Sequence, residues 1–335
     1  MQLDLRTVTV KPLRQTFTHV ARRIGGDKPA SRYQEGIYDL QATINFHYRP
    51  LWAPEYEIFD ASRTAIVMAD WYKLLDPRQF YYGSYTLARA RMQEAAEADF
   101  ALVEDRDLAA AIPPAVRELA LRLYVPLRHL EWGGNTNCMF MAAYGFGTAF
   151  TSPALYHAMD HLGMAQYLTR VGLTLGNEAA LDEAKAAWIE GAEWQGLRKY
   201  VEDCFVLSDW FELFIAHAVV LDGLLFPLFY GEIDTRLAGM GAGAVVTMLT
   251  RFEAEWFGES SRWTNAVVKL AAAESEANKA RIEGWIAQYL PLARAAVEGP
   301  AGIIFGAETA GVVDQLVEQF SARLAKLGIT VSAKG

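Results

Sequence analysis

From Ala61 onward, apolar residues recur at the three- and four-residue spacing of amphipathic helices, and they do so for nearly the whole chain. Ile66, Met68, Trp71 and Leu74 begin this series. The alternation of strands and helices that a parallel sheet requires does not occur. The spacing therefore predicts an all-α fold whose helices are long enough to form a bundle.

Helix boundaries follow from the apolar pattern and from the positions of proline. Pro113 and Pro153 suit helix starts, whereas Pro227 and Pro291 lie inside apolar patterns and are expected to kink or end helices there. The predicted helices cover residues 114–145, 152–175, 178–199, 201–229, 234–257, 276–297 and 308–327.

The distribution of charge excludes two classes of partner. The net charge is −9, and lysine and arginine are scattered, so no basic face is offered to a phosphate backbone or to anionic lipid. Residues 132–159 carry no charged side chain, but Asn135, Asn137 and Pro153 would leave polar groups unpaired in a bilayer. We expect no nucleic-acid partner and no membrane insertion, and we assign this run to the protein core.

Hydrophobic residues make up 52% of the 335 positions, which is enough to bury a large core without disulfides. The two cysteines, Cys138 and Cys204, lack the paired spacing of a zinc or redox motif. The first residues are charged and lack the apolar stretch of a secretory signal. We interpret both cysteines as buried thiols and expect a cytoplasmic location.

Residues 1–59 do not share the helical spacing and include the aromatic-rich stretch YDLQATINFHYRPLWAPEYEIFD. Loops that only cross water are polar, so these aromatic side chains are expected to pack on another protein surface. We predict that residues 1–59 form an extended arm on a partner subunit and that residues 60–335 form a helical domain. The predicted interface residues are Tyr38, Phe46, Tyr48 and Trp52.

Two segments keep the residue spacing of a metal-binding helix but have other residues at the metal-ligand positions. Carboxylate-bridged di-iron proteins place Glu-x-x-His on each of two helices and a lone Glu on each of two others, because four carboxylates neutralise two ferrous ions. In DHLGMAQ, His161 and Met164 occupy the Glu and His positions. In ESSRWTN, Ser260 and Trp263 do. These degenerate positions predict no metal, cofactor or catalytic residue on this chain.

The two lone carboxylate positions are harder to place. The stretch YYGSYTLA is similar to the Gly-Glu-Tyr stretch that supplies one of them, with Ser84 at the ligand position. The other falls near Leu221 or Asp222, where the register stays open.

With these motifs, the chain resembles the β subunits of the hydroxylase component of bacterial multicomponent monooxygenases, above all those of the phenol hydroxylase type, with the toluene monooxygenases next. The resemblance runs from RYQEGIYDLQATINFHYRPLWAPEYEIFD through DWYKLLDPRQFYYGSYTLARARMQE to ESSRWTN. It implies a ferritin-like, ribonucleotide-reductase-like bundle that has lost its metals.

The resemblance also implies partners and cofactors. A homologous α subunit would hold the di-iron centre and, with a γ chain, would form an (αβγ)2 complex. A reductase carrying FAD and a 2Fe-2S cluster would deliver electrons from NADH, and a small effector protein would dock on the hydroxylase. This chain would then be a non-catalytic scaffold in an NADH-dependent monooxygenase of aromatic hydrocarbon catabolism.

Two alternatives remain open on the sequence alone. His157 and His161 lie four residues apart with Asp160 between them, a spacing that can bind a single metal ion with a distant carboxylate such as Glu212. The second alternative is a free-standing helical protein that holds a hydrophobic ligand in its core. His217, alone among apolar residues, is interpreted as a hydrogen-bonded core histidine.

The outer residues of the two degenerate segments predict an ion pair. The first segment keeps an acid, Asp160, and the second keeps a base, Arg262. If the two helices face each other, these residues are expected to form a buried salt bridge, because a buried carboxylate needs a partner.

Overall fold

The computed structural model describes residues 15–44 and 47–331, and these ranges contain helices and no β-strand, so the predicted all-α fold is confirmed. Short 3-10 turns join some of the helices. The helices are α1 Thr18–Ile24, α2 Arg32–Ile37, α3 Tyr82–Asp105, α4 Pro114–Tyr124, α5 Leu127–Tyr144, α6 Thr148–Leu175, α7 Glu178–Glu190, α8 Gln195–Cys204, α9 Trp210–Ala242, α10 Val245–Leu249, α11 Arg251–Glu274, α12 Glu276–Phe305 and α13 Thr309–Ala325.

Local side-chain chemistry sets several of these boundaries. Asp209 begins α9 by accepting hydrogen bonds from the backbone N–H groups of Phe211 at 2.8 Å and Glu212 at 3.1 Å. Gly241 and Gly243 end it, because their φ angles of 108° and 59° interrupt the helical path where other residues would be strained. The expected single helix over 234–257 is therefore wrong, and α11 starts at Arg251.

Pro227 and Pro291 were expected to kink or end their helices. Neither of them ends its helix. Helix α12 runs through Pro291. Helix α9 passes Pro227 between two π-helical segments, Ile215–Leu221 and Leu228–Ile233. A π-turn shifts the hydrogen-bond register, which lets a helix continue past a residue that has no N–H group.

Four helices, α5, α6, α9 and α11, surround the centre of the molecule. A short turn joins α5 to α6, so these two helices run antiparallel and pack along much of their length. Helix α9 is long and apolar enough to cross a membrane, but it is almost wholly buried among the other helices and serves as the core of the bundle. The charge-free run 132–159 lines one side of this core and leaves Trp132 and Met139 exposed on its outer face.

The N-terminal arm is fastened to the helical body. Tyr33 and Ile37 on α2 are buried against Tyr72 and Ala149. The arm is thus not extended throughout, because residues 18–24 and 32–37 form helices. The described residues between Tyr38 and Asp60 form neither helix nor strand.

Candidate functional site

The structure brings four of the five degenerate ligand positions into the core. His161, Met164 and Trp263 have no exposed surface, and Ser260 is 2% exposed. Ser84 is the exception, since its hydroxyl group accepts a hydrogen bond from the Tyr81 N–H at 3.0 Å at the start of α3. Helix α3 packs outside the four core helices, so the assignment of Ser84 to a ligand position is corrected.

A carboxylate that the sequence pattern did not single out stands beside His161 instead. Glu131 on α5 is fully buried, and its Oε2 lies 2.5 Å from Nδ1 of His161. The two helices approach closely here, because a Cβ atom on Gly134 would lie 2.8 Å from the same ring nitrogen. The only sequence signal for Glu131 is an acid at the edge of the charge-free run, which is weak.

Glu131 and His161 belong to a larger group that we call the histidine cluster. Its members come from α5, α6 and α9, and all are at most 2% exposed. The Asp222 carboxylate lies at the centre: Nε2 of His157 is 3.4 Å from its Oδ2, Nε2 of His161 is 3.9 Å from Oδ2, and Nε2 of His217 is 4.0 Å from Oδ1. The cluster consists of Glu131, His157, His161, His217 and Asp222.

The π-helical segment of α9 explains why His217 and Asp222 face the same space. In an α-helix, residues five apart point about 140° away from each other, since each residue turns the chain by about 100°. The π-helical turns over Ile215–Leu221 wind less per residue and bring the two side chains to one side. The interpretation of His217 as an ordinary core histidine misses this geometry, and the open register near Asp222 is resolved in favour of that residue.

Burial and mutual charge set the protonation of the cluster. Burial lowers the pKa of His161, but Glu131 outweighs burial and raises that pKa well above its ordinary value. Burial and the positive charge at His161 together lower the pKa values of His157 and His217 well below their ordinary range. Burial raises the pKa of Asp222 to about 7. In the absence of metal, the cluster therefore carries its positive charge on His161.

The interior does not fit a pair of iron ions. The Trp256 indole lies 4.6 Å from the ring of His157 and 5.1 Å from that of His161, measured between centroids. Trp263, on the same helix as Trp256, lies 5.4 Å from His157. These indoles fill the space beside the cluster, and a bulky ring stands where a second imidazole ligand would point. The described carboxylates at the cluster are too few to neutralise two ferrous ions.

The metal ligands that the sequence alternative combined do not come together either. His157 and His161 are neighbours, but Asp160 points away from them toward α3. Glu212 accepts a hydrogen bond from the Tyr289 hydroxyl group at 2.7 Å, outside the cluster. That ligand set is therefore corrected, and only its two histidines remain side by side.

Asp160 is held by Arg89 on α3 and not by Arg262. Nε and Nη2 of Arg89 donate to the two carboxylate oxygens at 2.7 and 2.8 Å. The Tyr85 hydroxyl and the Trp256 indole N–H donate to the same carboxylate at 2.8 Å each. Arg262 is exposed and forms no ion pair with any described residue. The predicted pair is wrong, although Asp160 is buried and bonded as expected.

Arg89 extends this contact into a partly buried network. Its Nη2 also donates to Glu259 at 2.9 Å, and Arg78 reaches the same carboxylate at 3.4 Å while it binds Asp76 at 2.9 Å. Glu259 is the first residue of the ESSRWTN segment, so each degenerate segment contributes its acid to one network. Arg89 therefore ties α3 to both α6 and α11.

Glu253 on α11 is a buried acid without a charged partner. Neither carboxylate oxygen has a hydrogen-bond partner on another described residue, and the side chain is fully buried. Burial, reinforced by the nearby Glu131, raises the pKa of Glu253 to about 8. At neutral pH this carboxyl group is mainly protonated in the folded chain.

Glu253 is expected to make the folded chain less stable as pH rises from about 4.5 to about 8. The unfolded chain releases the Glu253 proton near pH 4.5, whereas the folded chain keeps it until about pH 8. Within this window the free energy of unfolding should fall by at most about 1.4 kcal/mol per pH unit from this residue. Urea unfolding at pH 5, 6.5 and 8 measures the slope, and Glu253→Gln should reduce it. An unchanged slope in that variant would contradict the assignment.

The arm exposes large apolar side chains over most of their surface. Tyr48 is 85% exposed and Trp52 is 75% exposed, although the indole N–H of Trp52 donates to the Tyr144 hydroxyl at 2.8 Å. Leu51 beside them is 94% exposed. Tyr38 is half-buried against the helical body, and Phe46 lies outside the described residues.

Comparison with known proteins agrees with this geometry. Residues 52–275 match the family described as Methane/Phenol/Alkene Hydroxylase. The chain is 47% identical over 333 residues to the oxygenase component DmpL of phenol 2-monooxygenase from Pseudomonas sp. (strain CF600), and the alignment covers 98% of each chain. It is 22% identical to the beta subunit of the toluene-4-monooxygenase hydroxylase component from Ectopseudomonas mendocina, over 86% of this chain and 89% of that one.

Solved structures give the same result. A chain of phenol hydroxylase from Pseudomonas sp. OX1 has a TM-score of 0.91 at 42% identity and covers 98% of this chain and 99% of that chain. A toluene 4-monooxygenase chain has a TM-score of 0.74 at 21% identity and covers 89% of this chain and 99% of that chain; it shows the fold alone. The predicted ferritin-like bundle is confirmed, and so is the resemblance in the sequence. This chain belongs to the methane/phenol/alkene hydroxylase family.

Proposed function

We propose that this chain is the non-catalytic β subunit of the hydroxylase component of a phenol-type aromatic monooxygenase. The observation that carries the proposal is the full-length likeness to phenol 2-monooxygenase oxygenase components, 47% identical over 98% of both chains. The interior supports it, because indoles and a histidine cluster occupy the centre of a bundle that carries a di-iron site in metal-binding proteins of this fold.

The oxidation of substrate then takes place on another subunit. We propose that an α subunit holds the di-iron centre and that a γ chain completes an (αβγ)2 hydroxylase. A reductase with FAD and a 2Fe-2S cluster would supply electrons from NADH, and an effector protein would dock on the assembly. Two buried free cysteines, Cys138 and Cys204, are in keeping with the cytoplasmic location that we propose for it.

The exposed part of the arm is the surface that we assign to the α subunit. Tyr48, Leu51 and Trp52 stand within five residues of one another with most of their surface open. Large aromatic and aliphatic side chains that lose water in an interface contribute most of its binding energy. An arm anchored at α2 and open beyond it is suited to lie across a second subunit.

Truncation of the arm is expected to weaken the assembly. Trp52→Ala should cost about 2 kcal/mol or more in binding free energy, because a central indole is a typical interface hot spot. The chain is co-expressed with the α and γ subunits through a tag on this chain, and the amount of α retained and the phenol hydroxylation per retained α are measured. Retention should fall, whereas turnover per assembled iron site should stay close to that of the unchanged complex.

Val206→Ala is the matched control. Val206 is 83% exposed but follows α8, outside the arm. Equal retention of α by Trp52→Ala, Val206→Ala and the unchanged chain would show that the arm is not the interface. Failure of the unchanged chain to retain any α subunit would contradict the proposed function itself.

A further inference from the structure

Five side-chain atoms of the histidine cluster are buried with no hydrogen-bond partner among the described residues. Three of them, Nε2 of His161, Nε2 of His217 and Oδ1 of Asp222, belong to residues that are at most 1% exposed. A buried polar atom without a partner costs about 1–3 kcal/mol, so native proteins seldom leave several such atoms facing one another. One ligand atom from each of these three residues lies within 4.8 Å of the others.

The spacing of these atoms is that of ligands around one ion. The Nε2-to-carboxylate distance of 3.4 Å at His157 gives only a weak hydrogen bond, and those of 3.9 Å at His161 and 4.0 Å at His217 are too long for one. Two ligands of one tetrahedral zinc ion, each at about 2.0–2.1 Å from the metal, are separated by about 3.4 Å. The cluster is thus slightly wider than a loaded zinc site.

Outer contacts orient two of the three imidazoles. Glu131 holds Nδ1 of His161 at 2.5 Å, which turns Nε2 of that ring toward Asp222. Histidines that bind zinc usually donate their other ring N–H to a carboxylate, which fixes the orientation of the ring. The side-chain amide nitrogen of Asn137 lies 3.4 Å from Nδ1 of His217. When Nε2 of this ring binds metal, the amide must turn so that its oxygen accepts from Nδ1–H.

We propose that the histidine cluster binds one zinc ion through Nε2 of His161, Nε2 of His217 and the Asp222 carboxylate, with Nε2 of His157 as the fourth ligand. The charges balance, because one Zn²⁺ meets the carboxylates of Asp222 and Glu131. The proton on Nε2 of His161 is released to solvent when the metal binds. A closed set of four protein ligands is typical of a structural zinc and leaves no position for substrate.

This site differs from a di-iron centre in nuclearity, ligands and role. It needs one ion instead of two, and three imidazoles instead of four carboxylates. Its ligands lie on α6 and α9, so the ion would clamp the central helix to its neighbour. Cys138 on α5 adjoins His157 and His161 in the same interior, whereas His161, His217 and Asp222 come together without it.

The test measures zinc in the full-length chain together with whatever proteins co-purify with it, through a tag that contains no histidine. After removal of loosely held metal by a chelator and reloading with Zn²⁺ alone, metal content is determined per chain. The unchanged chain is expected to hold one zinc more than Asp222→Asn. Glu131→Gln should weaken zinc binding by about 10–100-fold, as loss of an orienting carboxylate does. X-ray anomalous scattering at the zinc edge should give a peak beside the Asp222 carboxylate.

His129→Gln is the matched control, because His129 is a partly buried histidine that stacks on Trp188 outside the cluster. It should bind as much zinc as the unchanged chain. Equal zinc in the unchanged chain and in a folded Asp222→Asn variant would overturn the proposal. If that variant does not fold, the anomalous map of the unchanged, zinc-loaded chain decides, and the lack of a peak at Asp222 would refute the site. Neither result depends on whether an α subunit is retained.

Discussion

Replacement of Arg89 by methionine is expected to lower the free energy of unfolding by about 3–5 kcal/mol, because it leaves the buried Asp160 carboxylate without a cation. Asp160 is 3% exposed, and its remaining donors, Tyr85 and Trp256, are neutral. The Glu259 carboxylate is less affected by the replacement, because Arg78 still lies within ion-pair distance of it. Urea unfolding of the full chain at pH 7, followed by tryptophan fluorescence and circular dichroism, measures the change.

Arg262→Met makes the same substitution at an exposed arginine and serves as the control. Arg262 forms no ion pair with a described residue, so its replacement should change stability by no more than about 0.5 kcal/mol. Equal losses in the two variants would mean that Arg89 contributes no more than a surface charge. A loss below about 1 kcal/mol at Arg89 would give the same conclusion.

Trp263→Ala is expected to cost about 3–5 kcal/mol of stability, since it opens a large cavity at the centre of the bundle. The indole has no exposed surface and contacts Phe150, Phe214 and His157, with ring centroids 5.7, 5.4 and 5.4 Å away. Neighbouring rings cannot all move to fill the volume of an indole, because each is already packed. Thermal and urea unfolding together report the loss.

Trp132→Ala is the corresponding change at an exposed indole, 59% open to solvent on α5. Its effect on the free energy of unfolding should stay within about 1 kcal/mol. If Trp263→Ala were no more damaging than Trp132→Ala, the interior would have to be loosely packed, and indoles would not fill the place of the lost metals.

Apolar spacing was sufficient to predict the all-α class and most of the helices, because burial of one face is what holds such helices together. It missed the breaks between α4 and α5 and between α8 and α9, and it could not locate the break between α9 and α11. That break depends on Gly241 and Gly243, whose positive φ angles do not alter the apolar period. The arm was recognised from its aromatic residues, although its two short helices were not.

The partner of Asp160 was missed for a reason of helix geometry. Trp256, Ser260 and Trp263 define the buried stripe of α11. Arg262 precedes Trp263 by one residue, so its side chain points about 100° away from the stripe. The alignment of motif positions made Arg262 the ion-pair partner of Asp160, although its side chain points away from the buried stripe. Arg89, the partner in the structure, lies on a helix outside both motifs.

The histidine cluster could be predicted only in part. His157 and His161 are four residues apart on one helix, a spacing that any α-helix brings together. His217 and Asp222 meet across a π-helical segment, and an apolar sequence gives no sign that such a segment is present. Glu131 is a single acid on another helix, and its pairing with His161 depends on tertiary packing.

The way in which Arg23 fastens the arm has a thermodynamic consequence. Its guanidinium binds Asp39 and Asp70, at 2.5 and 2.7 Å, and lies 4.7 Å from the centroid of the Tyr72 ring. Asp39 is thereby held close to Asp70 of the helical body before any second subunit arrives. Association then needs to freeze fewer backbone and side-chain rotations, so less conformational entropy is lost when the arm is covered. Release of this clamp by Arg23→Ala would weaken the contact of Trp52 with a partner without removing a single atom from that contact.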